Sequence, residues 1–536
     1  MPVPRPLLAL VAALAVAAGA LSAGAPASAA SGGRNHPPGY VPAPVTWSDC
    51  SDTYGPDFEC GRVAVPLDWS KPHGTKISLA VTRYAHTATP YQGVMLVNPG
   101  GPGGSGTGLA SLKDYVPNGG GDGYDWIGFD PRGVGDSSPR LSCIPDYSAG
   151  VRPPYEPTTR AIEHAWLKRS VAYAHACAKN GPILQHMTTV DSAKDMDAIR
   201  QALRQKQINY YGFSYGTYLG QVYSTLFSTH VRRMVFDGTV DPRRVWYPAN
   251  LDQDVAFEKT ENIWFGWLAK YDSVYHLGTT RAQVAAQYYR AKAQLTKHPV
   301  GAVGGAEWAD IMLYAGYYQS VWTDIAAVFS GWVVNHDPAA LQKGYDDWIG
   351  PSDDNGLAVY SAVQCTDARW PRSYASYRAD QWATYKKAPF LTWGNAWFNA
   401  PCLFWPAKAK TPVRVDGSTV QSVLMINETL DAATPYSGSL EVRKRYPGAR
   451  LIAEPGGTTH AGSLYGDACV DDAIAAYLAD GTLPARKPGG GADKYCAPLP
   501  QPVPTTAGAA AKAMAGADRL GPLVRQRLKA AAAIGS

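Results

Sequence analysis

The sequence predicts an α/β fold: a mostly parallel sheet covered by helices, with one helical segment inserted. Three observations predict it. Short apolar runs alternate with helical stretches through the first half of the chain and again near its end. One of those runs leads through Gly212-Phe213-Ser214-Tyr215-Gly216 into a small-residue helix start. From about Trp246 to Trp405 the strand rhythm stops, and this span carries twelve of the sixteen tryptophans, enough for a helical body with its own aromatic interior. Strands that alternate with helices imply parallel neighbours, because a parallel pair needs a long crossover connection.

The chain divides accordingly. Arg5, the Leu/Ala/Val run Leu7 to Leu21 and the small-residue site Ala27-Ser28-Ala29 read as a signal peptide over 1–29, with export expected. Residues 30–45 are Gly- and Pro-rich and read as a loose leader. The sheet domain is expected over 46–245 and 406–497, the helical cap over 246–405, and a Pro/Ala-rich, weakly attached or disordered tail over 498–536. Ile77 to Tyr84 alternates as a strand, and Gly93 to Val97 is a continuous apolar run of the kind buried parallel strands show. Tyr124 to Phe129, the run ending at Phe213, Arg233 to Phe236, Ser422 to Asn427 and Arg450 to Glu454 complete the sheet. Helices are expected at Val190 to Leu203, where apolar residues recur every three or four positions, after Ser214, and at Val470 to Leu478.

Composition narrows the partners. A net charge of +5 over 536 residues, with no basic run, argues against nucleic acid. Beyond the leader no apolar stretch is long enough to span a bilayer, so no membrane association is expected after signal cleavage. The eight cysteines are even in number in a chain that looks exported, so disulfides are the default. Pairing by proximity along the chain gives Cys50–Cys60, Cys143–Cys177, Cys365–Cys402 and Cys469–Cys496. A metal site is the rival, but there is no C-x-x-C pair, and no metal or organic cofactor is expected.

The G-x-S-x-G stretch carries the chemistry. A serine on a tight strand-to-helix turn is held above the sheet edge at a helix N-terminus, where developing negative charge is favoured. The alternative is a strand end with small residues for packing. A serine hydroxyl needs a base, and the base needs a carboxylate to orient it. Only one histidine follows His336: His460, in a glycine-rich loop after the last apolar run. Asp431, a few residues past a buried strand, is the expected acid; Asp416, Glu428 and Glu454 lie at less suitable positions. The order Ser, acid, His is that of the α/β-hydrolase fold. Pro99-Gly100-Gly101-Pro102-Gly103-Gly104 follows a buried strand without the lysine of a phosphate loop. It reads as the second wall of an oxyanion hole, with the Gly101 and Tyr215 N–H groups as donors.

PGGPGGSG, DPRGVGDSS, GFSYGTYLG, RRMVFDGTVDP, DAATP and GGTTHAG, in this order, resemble the secreted tripeptidyl aminopeptidase-like α/β-hydrolases of actinomycetes, relatives of the prolyl aminopeptidases. The resemblance runs from about Trp47 to Cys496. It implies an exopeptidase acting on peptides with a free N-terminus, the triad Ser214, Asp431 and His460, and a supporting role for Thr434 beside the acid. Two departures bear on proline specificity: Pro99 stands where prolyl aminopeptidases usually carry His, and Pro131 replaces Gln in their D-Q-R-G.

An aminopeptidase also needs an anionic partner for the substrate ammonium. Glu258, Glu261 and Asp367 in the cap are candidates, against ordinary solvated positions. Trp264, Trp267, Trp308, Tyr317, Tyr318, Trp322 and Trp332 are candidates to line a pocket, against a role in the cap's own core. Two rival functions remain: an esterase or lipase on the same scaffold, and a binding protein with an inactive core, which would lack a triad residue.

Overall fold

The computed structural model describes residues 39–350 and 353–504. The expected signal peptide, part of the leader and the tail beyond residue 504 lie outside the described residues. The strands are β1 (Ser48–Asp49), β2 (Phe58–Pro66), β3 (Lys76–Tyr84), β4 (Gly93–Asn98), β5 (Tyr124–Phe129), β6 (Ile208–Phe213), β7 (Val231–Asp237), β8 (Val423–Glu428), β9 (Ala449–Glu454) and β10 (Lys494–Tyr495). They form one sheet in the order β1-β2-β3-β5-β4-β6-β7-β8-β9-β10. β1, β2 and β3 pair antiparallel, and β3 meets β5 antiparallel. Every pairing from β5 through β4 to β10 is parallel. This is the α/β-hydrolase fold. The expected strands are present within two residues at each end; β1, β2 and β10 have no counterpart in the sequence reading.

The central strands are buried on both faces, which is why they read as unbroken apolar runs rather than alternating ones. All six residues of β6 and of β8 are buried. Alternate residues still divide between two cores: Leu96, Tyr210 and Met234 on one face, Val97, Tyr211 and Val235 on the other. The helices Thr189–Ala202 and Tyr215–Leu226 cover the first face and pack on each other. The helix Ala468–Asp480 covers the second.

Between β7 and β8 the described residues are helical, from Tyr247–Lys270 through Thr392–Asn399. Trp264, Trp308 and Trp322 are fully buried there and, with Trp267 and Phe329, form a core separate from those of the sheet. These tryptophans hold the cap together and do not face the site. The start of the tail is docked rather than loose: Trp267 Nε1 donates to Pro502 O (2.9 Å) and Gln319 Nε2 to Leu499 O (3.1 Å).

Four disulfides join Cys50–Cys60, Cys143–Cys177, Cys365–Cys402 and Cys469–Cys496. Each spans a short excursion, and none ties distant parts of the chain together. The distant ties are polar. Arg132 makes a bidentate pair with Asp195, with Nε–Oδ2 and Nη2–Oδ1 both at 2.7 Å. The two side chains are 0% and 2% exposed. Trp69 Nε1 donates to the same carboxylate, and Arg132 Nη1 donates to Leu67 O and His186 O. Asp130, two residues earlier, accepts from Ser105 Oγ (2.7 Å), Gly106 N (2.9 Å) and Asp136 N (2.8 Å). The D-P-R-G stretch, read from composition as a turn, is therefore a clamp. Its aspartate fixes the glycine-rich loop after β4 and its arginine fixes the covering helix.

Two predictions follow from these buried charges. Asp195→Asn leaves the Arg132 guanidinium buried without its counter-charge, at a cost of about 3–5 kcal/mol. The thermal midpoint should drop clearly, and less in Asp195→Asn/Arg132→Met than the two single changes added together. The second concerns Glu428, at the end of β8, whose carboxyl burial pushes up from 4.5 to about 8. Between those values the folded chain holds a proton that the unfolded chain has released, so stability falls as pH rises through that window. The melting temperature of Glu428→Gln should therefore fall less than the wild type's between about pH 5 and about pH 9. Equal slopes in the two proteins would show that Glu428 is ionised when folded.

Candidate active site

The site stands on the carboxyl ends of β4, β6, β8 and β9, where open parallel sheets place their ligands. Ser214 follows β6 directly and precedes the helix Tyr215–Leu226. Its backbone is at φ 54°, ψ −126°, a conformation unfavourable for a residue with a Cβ. The turn is held from both sides. Ser214 N–H donates to Asp237 O at the end of β7 (2.9 Å), and Thr217 N–H and Oγ1 donate to Ser214 O (2.8 and 2.7 Å). A side chain at Gly216 would lie 2.7 Å from Asn98 O, so glycine lets the helix approach the end of β4.

Gly100 completes the turn from the β4 side. A Cβ there would lie 2.5 Å from Phe213 O and 2.9 Å from Ser214 Cβ, and its φ is 97°. Asn98 Oδ1 accepts the Gly100 N–H (3.0 Å), and Gly104 N–H returns to Gly100 O (3.2 Å). Gly101 and Tyr215 line the same cavity as Ser214. Neither backbone N–H makes a hydrogen bond among the described residues, so both remain available to an oxyanion.

His460 lies in the loop after β9, and its backbone is pinned from the cap: His460 N–H donates to Tyr317 O (2.8 Å). Its Nδ1 meets the Asp431 carboxylate at 2.9 and 3.0 Å. That carboxylate is fully buried and satisfied. Oδ1 accepts from Ala433 N and Thr434 N, both at 2.9 Å, and Oδ2 from Thr434 Oγ1 (2.7 Å) and Asn427 Nδ2 (3.3 Å). A carboxylate held by donors on both oxygens is fixed in place, and it directs the Nδ1 proton toward itself. His460 Nε2 is then left as an acceptor. Ser214, Thr434 and His460 all line one cavity.

The other acids take different places. Glu428 Oε2 accepts the Thr459 N–H and shapes the turn before His460. Burial pushes the Glu454 carboxyl to about 9, which suits a neutral partner in the sheet and not a carboxylate that steadies an imidazolium. Asp416 is exposed and caps its own loop through Ser418 N–H (2.9 Å). Of the cap acids, Glu258 is occupied by Asn262 Nδ2 and Phe390 N, and Asp367 by Thr189 and Trp246 Nε1. Glu261 is fully buried and held well above its usual range. None of the three is among the described residues that line the cavity.

Cap helices close the cavity over Ser214 with an aromatic and amide lining. Tyr317 and Tyr318 face it as expected, together with Trp246, Phe257, Tyr360 and Trp397. Asn250 and Asn395 add polar groups that bond mainly to each other's surroundings: Asn395 Nδ2 donates to Asp254 Oδ1 (2.8 Å), and Asn250 Nδ2 to Gln364 Oε1 (3.2 Å). Asp310 and Arg152 also reach the cavity. Sequence reading passed over both, because neither belongs to a motif and only folding brings them together.

The comparisons with known proteins agree with this architecture. A family model described as TAP-like protein matches residues 388–496. A tripeptidyl aminopeptidase of Streptomyces lividans is 42% identical over 480 residues, covering 86% of this chain and 88% of the relative. The carboxylesterase B of Mycobacterium tuberculosis (strain CDC 1551 / Oshkosh) is 33% identical over 516 residues, covering 90% and 97%. The serine protease Hip1 of Mycobacterium bovis is 29% identical over 476 residues, covering 82% and 90%. With its sheet order, its Ser214 turn and this extent of identity, the chain belongs to the tripeptidyl aminopeptidase-like family of α/β-hydrolase enzymes.

Proposed function

We propose that the protein is a secreted serine exopeptidase that releases short peptides, tripeptides above all, from free N-termini. The observation that carries the reading is the strained Ser214 turn, which opens into the same cap-covered cavity as the Asp431–His460 pair. The kinship to a tripeptidyl aminopeptidase supports the substrate class. The four disulfides support export to an oxidising compartment, and no helix among the described residues is long and apolar enough to cross a membrane.

In this mechanism Ser214 Oγ attacks the scissile carbonyl while His460 Nε2 takes its proton. Asp431 holds the ring and stabilises the imidazolium. The tetrahedral oxyanion accepts hydrogen bonds from the Tyr215 and Gly101 N–H groups, each worth about 3 kcal/mol of barrier. Collapse breaks the C–N bond, and His460 gives its proton to the leaving amine. Water then attacks the acyl-enzyme, again losing its proton to His460, and the serine is restored as the short peptide leaves. Thr434 is a positioning residue, since its Oγ1 bonds Asp431 Oδ2 at 2.7 Å and stands 3.2 Å from His460 Nδ1.

A carboxylesterase is the second reading, favoured by the 33% identical relative of that name. The purified protein decides between them on three substrates: a free-amine tripeptide anilide, its N-acetylated twin and a short-chain aryl ester. The free-amine peptide should be cleaved best, and Ser214→Ala should abolish all cleavage. Equal turnover of the blocked peptide and the ester would establish an esterase. In Thr434→Val, kcat should fall about tenfold with KM nearly unchanged, the cost of one hydrogen bond to the charged acid. A change in KM alone would remove Thr434 from the mechanism.

A further inference from the structure

We infer that Asp310 is the anchor for the substrate's α-ammonium, and that the cap helix bearing it is the ruler that sets the length of the peptide removed. The inference rests on the exopeptidase reading above. Its first support is charge. Three sets of charged side chains reach the cavity. Asp241 and Glu441 share Arg243, Glu441 also pairs with Arg445, and Arg244 pairs with Asp252; both sets are balanced. The third is not. Arg152 is shared between two carboxylates, with Nε–Glu307 Oε1 at 2.7 Å and Nη2–Asp310 Oδ2 at 2.5 Å. Glu307 is sealed in, with its side chain 0% exposed, whereas Asp310 is 12% exposed and lines the cavity. One guanidinium against two carboxylates leaves an excess negative charge, and it emerges at Asp310. Tyr155 OH contacts both Asp310 oxygens at 2.8 Å and fixes the carboxylate without neutralising it.

The second support is distance. Asp310, Leu313 and Tyr317 lie three and four residues apart on the helix Gly305–Tyr317, so they share one face, and all three line the cavity. The helix ends against His460, through Tyr317 O and through the ring of Tyr317, whose centroid is 6.0 Å from the imidazole's. Asp310 is seven residues back, about 10 Å along the axis at 1.5 Å per residue. Three extended residues span about 10–11 Å. A peptide whose scissile carbonyl lies beside His460, with its chain along this face, therefore brings the ammonium of the third residue back from the cut to Asp310. A dipeptide falls short, and in a longer chain the third residue has no charge to offer.

The test uses the full-length mature enzyme and anilides of one, two, three and four residues, each with a free and an acetylated N-terminus, plus a short-chain aryl ester. Asp310→Asn should lower kcat/KM for the free-amine tripeptide about 100-fold. It should leave the ester rate, which reports an intact Ser214 site, within about twofold of the wild type. The preference for free over acetylated tripeptide should disappear. In Asp310→Asn/Leu313→Asp the acid sits three helical residues nearer the His460 end, about 4.5 Å or slightly more than one extended residue. Its preference should move to the dipeptide. If the wild type prefers the free-amine tripeptide but Asp310→Asn keeps that preference, the anchor is elsewhere and this inference fails while the exopeptidase reading stands. If the wild type itself ignores the amine, the exopeptidase reading fails first. Loss of ester and peptide activity together in Asp310→Asn, with no shift in the double variant, would make Asp310 structural and also overturn the inference.

Discussion

The fold turns on one backbone conformation. Ser214 sits at φ 54° in a region that costs roughly 1–3 kcal/mol, and the surrounding structure exists in part to hold it there. β7 supplies the carbonyl that accepts its N–H, Thr217 ties down its carbonyl, and Gly100 and Gly216 remove the side chains that would push it away. Ser214 and Tyr215 line one cavity at the point where the strand becomes a helix within a single residue.

The clamp at residues 130–132 protects this arrangement from a distance. Asp130 fixes the loop after β4, which carries Gly100 and Gly101, and Arg132 fixes the helix Thr189–Ala202 through a buried ion pair. A buried pair is a poor source of net stability, but losing half of it is costly. Here the pair ties the stretch after β5 to the helix Thr189–Ala202, while Asp130 holds the loop after β4. The acid–base pair is fixed in a similar way: four donors on Asp431 and a cap carbonyl on the His460 N–H leave the imidazole little freedom.

That last bond joins the loop after β9 to the cap. The helix Gly305–Tyr317 touches His460 at one end and carries Asp310 two turns away. One rigid element therefore contacts His460 and fixes how far Asp310 lies from it. A rigid helix separates the two groups better than a loop would, because its rise per residue is fixed.

The sequence by itself determined the strands β3 to β9, because buried strands read as apolar runs and the turns between them need particular residues. It also singled out Ser214, Asp431 and His460 as candidates, since strand ends at a parallel sheet's carboxyl edge are readable in order along the chain. It paired the cysteines, because each bridge closes a local loop. It missed the two-residue edge strands β1 and β10, and β2, an antiparallel strand that mixes Gly, Arg and Pro with its apolar residues. Only the tertiary structure decided which aromatics face the site. A tryptophan's periodicity shows that it is buried, not against what, and Trp264, Trp308 and Trp322 went to the cap's interior. The charges were decided the same way. Asp310 and Glu307 are ordinary helix residues until Arg152, more than 150 positions earlier, folds between them. Pairing across such a separation depends on how the cap docks, and no local pattern records that.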